Sequence, residues 1–236
     1  MSTRIQLAAG SLVSIALSIL PISSASAADN TIKLGNTAPY SGPASAYGTV
    51  ARAEAAYFQM INDQGGINGR KIDFQTLDDG YSAPKTVEQT RKLVEQDEVL
   101  AMFSSVGTAP NISVQKYLNG KRVPQIFVSS GATRWNDPKQ FPWTVGFNPT
   151  YELEGRLYAQ YVLKTKPDAK IAVITPNEDA GKDYLRGFKA GLGERVNQLV
   201  SETTYLTADP TIDSQMVTMR ESGADVFFAE DRKSVV

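Results

Sequence analysis

The 236-residue chain contains no cysteine and no histidine. Without cysteine there is no disulfide framework, no thiol nucleophile and no site for lipid attachment behind an N-terminal leader. Without histidine the commonest general base and the commonest zinc ligand are both missing. Neither sign of charge dominates, with 24 Lys+Arg against 25 Asp+Glu. That balance argues against nucleic acid as a partner. Beyond the first 27 residues no apolar run approaches the roughly 20 residues needed to span a bilayer, and no repeat of fixed period or low-complexity tract appears.

What is present begins with an export signal. Arg4 precedes an apolar stretch from Leu7 to Leu20, a break at Pro21 and the small-residue site Ala25-Ser26-Ala27. Residues 1–27 therefore read as a secretory signal peptide, and the mature protein is expected to diffuse freely in the periplasm. Removal of Arg4 with the signal leaves a net charge of −2. At the other end, Asp231-Arg232-Lys233-Ser234-Val235-Val236 breaks the pattern just after a strand has begun. That hexapeptide is what a common sequencing adapter would encode. Residues 231–236 are expected to be a non-native tail on a chain lacking its C-terminal third.

Apolar stretches alternate with helical patterns, which predicts an α/β fold with mainly parallel sheets. The expected strands are Ile32–Leu34, Ile72–Leu77, Val99–Phe103, Gln125–Val128, Lys170–Ile174 and Asp225–Phe228, the last of them buried. A first helix over Thr49–Gln64 is expected to bury Val50, Ala53, Tyr57 and Ile61 and to stop at Gly65 or Gly66. Asp209-Pro210 has the chemistry of a helix start and Gly223 that of a stop, predicting a helix over Thr211–Ser222. A crossover near residues 141–150 divides the chain into an N-terminal lobe (28–147) and a partial C-terminal lobe (148–230).

The chemistry concentrates in loops at strand ends, where open α/β sheets bind ligands. The Pro- and Ser-rich loop from Pro39 carries Tyr47 to that edge. The turn Ser104-Ser105-Val106-Gly107-Thr108-Ala109-Pro110 precedes a helix, and helix N-termini with hydroxyls suit an anion such as a carboxylate; an ordinary cap is the alternative. In Ser129-Ser130-Gly131-Ala132-Thr133, Gly131 permits close backbone approach and Thr133 offers both donor and acceptor; a plain polar loop is the alternative. Asp78-Asp79 reads as solvated or turn-capping carboxylates rather than a catalytic pair. Two S-x-x-K matches, at Ser82 and Ser113, lack the companion elements of acyl-enzyme sites. The stripe Tyr184, Leu185, Phe188 and Leu192 reads as core, and Trp135 and Trp143 as braces.

Taken together, these linked turns resemble the periplasmic solute-binding proteins of the leucine/isoleucine/valine-binding family, over about residues 31–228. The resemblance implies two Rossmann-like lobes of the type I periplasmic binding fold, with the second incomplete. It sets Tyr47, Ser105, Gly131 and Thr133 at ligand-contact positions. The serine and threonine would hold an α-carboxylate, the Gly131 carbonyl and Thr133 hydroxyl an α-ammonium, and Tyr47 would cover the ligand. Ala180, the candidate contact from the second lobe, stands where amino-acid binders commonly place an aromatic ring. A larger ligand such as an aromatic acid is then expected to fit.

The implied function is capture of a small carboxylate-bearing ligand by a monomer and delivery to an ABC permease and its ATPase, with no enzymatic activity, cofactor or metal. A ligand-sensing domain of a receptor or regulator is the alternative. A hydrolase on a Rossmann-like sheet is disfavoured by the missing histidine, cysteine and phosphate loop.

Overall fold

The computed structural model describes residues 31–230. The expected signal peptide and tail lie outside the described residues. Five strands form the first sheet: β1 (Thr31–Ala38), β2 (Lys71–Asp78), β3 (Ala101–Phe103), β4 (Gln125–Val128) and β5 (Thr144–Gly146). They are parallel throughout, in the order β2-β1-β3-β4-β5. The connecting helices are α1 (Gly48–Asp63), α2 (Ala83–Glu95) and α3 (Thr108–Lys121). The second sheet is β6 (Ile171–Pro176), β7 (Leu199–Tyr205) and β8 (Val226–Ala229), parallel in the order β7-β6-β8. It is served by α4 (Tyr151–Thr165), α5 (Asp179–Leu192) and α6 (Asp213–Glu221).

Both sheets reverse their strand order at one point. The chain leaves β1 for β2 and returns across it to β3; it leaves β6 for β7 and returns to β8. In such sheets the crevice at the carboxyl ends of the strands, where the order reverses, is the natural place for a ligand. The two crevices lie between β1 and β3 and between β6 and β8.

Local chemistry explains several elements directly. The amide of Gly66 donates to Ile61 O and that of Gly65 to Asn62 O, the paired bonds of a Schellman stop, with both glycines at positive φ. Thr150 caps α4 by accepting from the Leu153 N–H at 3.1 Å. All six residues of β6 are buried, as befits a central strand covered on both faces. Against it pack Ala159, Phe188 and Leu192. The helices α4 and α5 cross so closely that a Cβ at Gly187 would fall 2.0 Å from Glu152 O. The expected stripe on α5 is indeed core, with Leu185 half-buried and Tyr184, Phe188 and Leu192 buried. Trp135 is buried, whereas Trp143 is exposed.

Other expectations are corrected. Strands β5 and β7 lie where none was predicted; β5 is only three residues long, and β7 alternates half-buried and exposed positions along a sheet edge. On α1 the predicted stripe holds at Val50 and Ile61, which are half-buried, and fails between them. Ala51 and Phe58 turn inward while Ala53 and Tyr57 are exposed, because an alanine-rich helix carries little directional signal. Helix α6 begins at Asp213 rather than Thr211, since the Asp209 carboxylate is taken by the Leu206 N–H at 2.7 Å and closes a turn instead of capping a helix. Among the described residues β8 is not buried and lies at the end of its sheet, with Val226 and Phe228 against the core and Phe227 exposed.

Candidate functional site

The loop after β1 is held by the residues that follow β2. Asp78 accepts from the Tyr40 N–H at 2.9 Å, the Gly80 N–H at 2.9 Å and the Ser41 hydroxyl at 2.5 Å. Partial burial pushes its carboxyl up, but these bonds outweigh burial and hold it below the ordinary range. Asp79 accepts from the Tyr81 N–H and the Thr86 hydroxyl, both at 2.9 Å, and its burial drives its carboxyl upward. Turn capping thus describes both aspartates. The anchored loop, which leaves the β1 side of the first crevice, ends in the short 3-10 turn Ser45–Tyr47 with Tyr47 partly exposed.

Ser105 lies in that crevice. Its hydroxyl accepts from the Thr37 N–H at 3.1 Å, a bond that joins the ends of β1 and β3. Its carbonyl accepts from the Asn111 side-chain amide at 2.8 Å and the Ser129 N–H at 3.1 Å. Asn111 also donates to Gly107 O and accepts from Gln125 at 3.0 Å. The second predicted turn joins the same network, since Ser130 shares a 2.7 Å bond with Thr108 and accepts from the Trp135 indole at 3.0 Å. The two turns therefore share one edge and are rigidly bonded to each other.

Gly131 and Thr133 face the second lobe. The Gly131 carbonyl accepts from the Tyr151 N–H at 2.7 Å, and a Cβ there would sit 2.5 Å from Pro149 O, so only glycine fits. Thr133 gives both donors to one oxygen of Asp183, the N–H at 2.7 Å and the hydroxyl at 2.9 Å. The other oxygen of Asp183 pairs with Arg186, which also bonds Glu152 at 3.1 Å. Ala180 is fully buried in the first turn of α5. From the start of that helix it is Glu178 and Asp179 that reach across. Glu178 accepts from the Tyr81 hydroxyl at 3.1 Å, and Asp179 pairs with Arg134 at 3.1 Å, itself bonded to Gln115.

A cleft of about 490 Å³ bridges the lobes, lined by Tyr47 from the first and by Tyr158, Tyr184 and the stretch Phe227–Glu230 from the second. Burial and the adjacent Glu154, to which the Tyr184 hydroxyl donates, raise the Tyr184 pKa strongly, so the ring stays a neutral wall. Sequence reasoning missed the cross-lobe residues Tyr81, Arg134, Glu178, Asp179 and Asp183. Their partners lie 45 to 97 residues away, and no local spacing signals them.

A profile for the family described as periplasmic binding protein matches residues 31–231. The chain belongs to that family. Among its relatives, a Leu/Ile/Val-binding protein homolog 3 of Brucella melitensis is 26% identical over 211 residues, covering 86% of this chain and 55% of the relative. A solute-binding protein of an ABC transporter from R. palustris, solved in complex with benzoate, superposes with a TM-score of 0.75 at 22% identity, over 85% of this chain and 55% of that one. The branched-chain amino acid transporter substrate-binding protein LivJ of Streptococcus pneumoniae, in complex with isoleucine, gives 0.69 at 23% identity, over 84% and 56%. The chain spans about half the length of the relatives it matches. The architecture is the type I periplasmic binding fold, with two lobes built on parallel sheets. Among the described residues no helix is long and apolar enough to cross a membrane.

Proposed function

We propose that this chain is the ligand-capturing part of an extracytoplasmic solute-binding protein, exported through residues 1–27 and serving an ABC permease and its ATPase. The ligand is a small carboxylate, either a branched-chain or related amino acid or an aromatic acid. The observation that carries this reading is the joining of the two polar turns at the first crevice, in a molecule that also has an aromatic cleft lined from both lobes though not by those turns. A ligand shifts an open-closed equilibrium only through contacts it makes better in the closed form, and a cleft lined from both sides supplies them.

In this reading Ser105 and Thr133 bind the carboxylate, which displaces Asp183 from the two Thr133 donors. The Gly131 carbonyl and Thr133 hydroxyl receive an ammonium where the ligand has one, and Tyr47 closes over it. Ala180 contributes no ring, and the aromatic walls at Tyr158, Tyr184 and Phe228 suit a flat apolar body. Aromatic acids are therefore favoured over aliphatic amino acids. Binding to the native state alone raises stability by about 2.7 kcal/mol at a hundredfold excess over Kd. A thermal-shift panel of benzoate, hydroxybenzoates, isoleucine, leucine and valine tests the reading. Benzoates are expected to give the largest upward shifts. A larger shift with isoleucine would overturn the aromatic preference, and no shift with any of them would overturn ligand capture.

A further inference from the structure

Helix α5 meets the first lobe at its start. Glu178, in extended backbone at the N-cap position, accepts from the Tyr81 hydroxyl at 3.1 Å. Asp179, the first helical residue, pairs with Arg134 at 3.1 Å. One turn further on, Asp183 takes both donors of Thr133. In the function proposed above, a ligand carboxylate removes that third contact. Of the three, the bonds to Glu178 and Asp179 then keep α5 on the first lobe, and neither Tyr81 nor Arg134 has a part in holding the ligand.

Both first-lobe partners are set in place by their own lobe. Tyr81 holds a φ of 60°, a backbone setting that residues with a Cβ adopt only at a cost and that persists where the surroundings over-determine it. Its N–H donates to Asp79 at 2.9 Å. Its ring lies so close to Gly107, itself at φ 103°, that a Cβ there would fall 2.5 Å from ring atom Cε2. The ring therefore rests directly on the backbone of the turn that carries Ser105. Arg134 is braced in another way. Its Nε donates at 3.1 Å to Gln115, which is fully buried, and its guanidinium lies 5.9 Å from the Trp135 ring and 6.0 Å from that of Phe141. An exposed ion pair gains little, because ordering two long side chains offsets the attraction. Here Gln115 and the rings have already ordered the arginine, and the rest of its planar fork is presented to Asp179.

We infer that Tyr81 and Arg134 are positioning residues that clasp the first turn of α5, hold the lobes in the ligand-retaining arrangement and so set affinity without touching the ligand. The inference rests on the ligand-capture reading. A ligand that binds only the clasped arrangement has an apparent Kd equal to its intrinsic Kd divided by the clasped fraction. Loosening the clasp therefore weakens binding, with most of the change in the dissociation rate. Tyr81→Phe removes the hydroxyl and keeps the ring on Gly107; Asp179→Ala removes the carboxylate from a half-exposed side chain. Each alone is expected to weaken benzoate binding about threefold and the two together about tenfold, with melting midpoints close to the parent's. Isoleucine replaces benzoate as the probe if benzoate gives no shift. Since the chain has no cysteine, Glu88→Cys on α2 and Gln160→Cys on α4, both exposed, provide two unique sites for spin labels, one on each lobe. Without ligand, the distance between them is expected to lengthen and broaden when both clasp substitutions are present.

An unchanged distance distribution in the combined variant would overturn the inference, whatever the ligand does. So would a changed distribution with affinity equal to the parent's, since the clasp would then not govern binding. If the combined variant failed to fold, Tyr81→Phe alone would decide by the same two measurements. Failure of the parent to bind benzoate or isoleucine would count against the ligand-capture reading, and the clasp would stand or fall on the spin-label distances, which need no ligand.

Discussion

The two lobes bury different kinds of residue. The first places Asn36, Thr37, Ser105, Thr108, Asn111, Gln115, Gln125 and Ser130 out of solvent and ties most of them together by hydrogen bonds at the carboxyl edge of its sheet. The second buries Ala159, Ile171, Val173, Phe188 and Leu192 around β6 with only Thr175 and Asp183 as buried polar residues, and Glu178, Asp179 and Asp183 reach the other lobe. A buried polar network is demanding, because each group left unpaired costs more than a hydrogen bond returns. It also fixes geometry. The first lobe is thus built to hold turns in one arrangement, and the second to supply a dry scaffold whose face meets those turns.

The largest effect is expected where the dry core is opened. Phe188 is fully buried and stacks on Phe228 at 4.7 Å, so Phe188→Ala should cost about 3–5 kcal/mol in urea denaturation. A loss below about 1 kcal/mol would show that the second lobe is not held by this packing. Asn111→Ala should cost less, about 1–3 kcal/mol, by removing the side-chain donor to the carbonyls of Ser105 and Gly107 and the acceptor of one amide hydrogen of Gln125, with the Ser105 carbonyl keeping its bond from the Ser129 N–H. It should nevertheless weaken cleft-ligand binding more than Phe188→Ala does, since it loosens the turn that carries Ser105. Equal effects on affinity would erase the distinction between the lobes.

The smallest effect concerns Asp78. Its folded pKa lies below the ordinary 3.8, so the stabilisation from its ionised form is complete above that value and is lost as pH falls through the folded pKa. Asp78→Asn should therefore lower the melting midpoint slightly at neutral pH. The gap from the parent should close in acid. A gap that stayed constant down to pH 2 would mean that the carboxylate charge is irrelevant to the loop carrying Tyr47.

Much of this was legible in local sequence. Strand Gln125–Val128 and the capping roles of Asp78 and Asp79 follow from β-branched runs and turn chemistry, and the helix stop at Gly65-Gly66 from glycine's conformational freedom. Strand β1 was seen only in part, because Gly35-Asn36-Thr37 reads as a polar exit. Asn36 stays in the strand since its side chain bonds Phe103 O at 2.9 Å and Thr76 at 2.9 Å, on the strands to either side. The same limit hid β5, β7 and the exposure of β8, since an edge position is a property of neighbours rather than of the strand itself.

By itself the sequence determined the α/β alternation, the polar turns at the strand ends and the absence of histidine and cysteine chemistry, because these depend on residue type and short-range spacing. Only the tertiary structure decided which groups those turns would meet. Thr133 on Asp183, Arg134 on Asp179 and Tyr81 on Glu178 bring together residues far apart in the chain. Such encounters follow from strand order and helix phase. A periodic pattern constrains both only weakly, whereas packing resolves them through the combined cost of every buried group left unpaired.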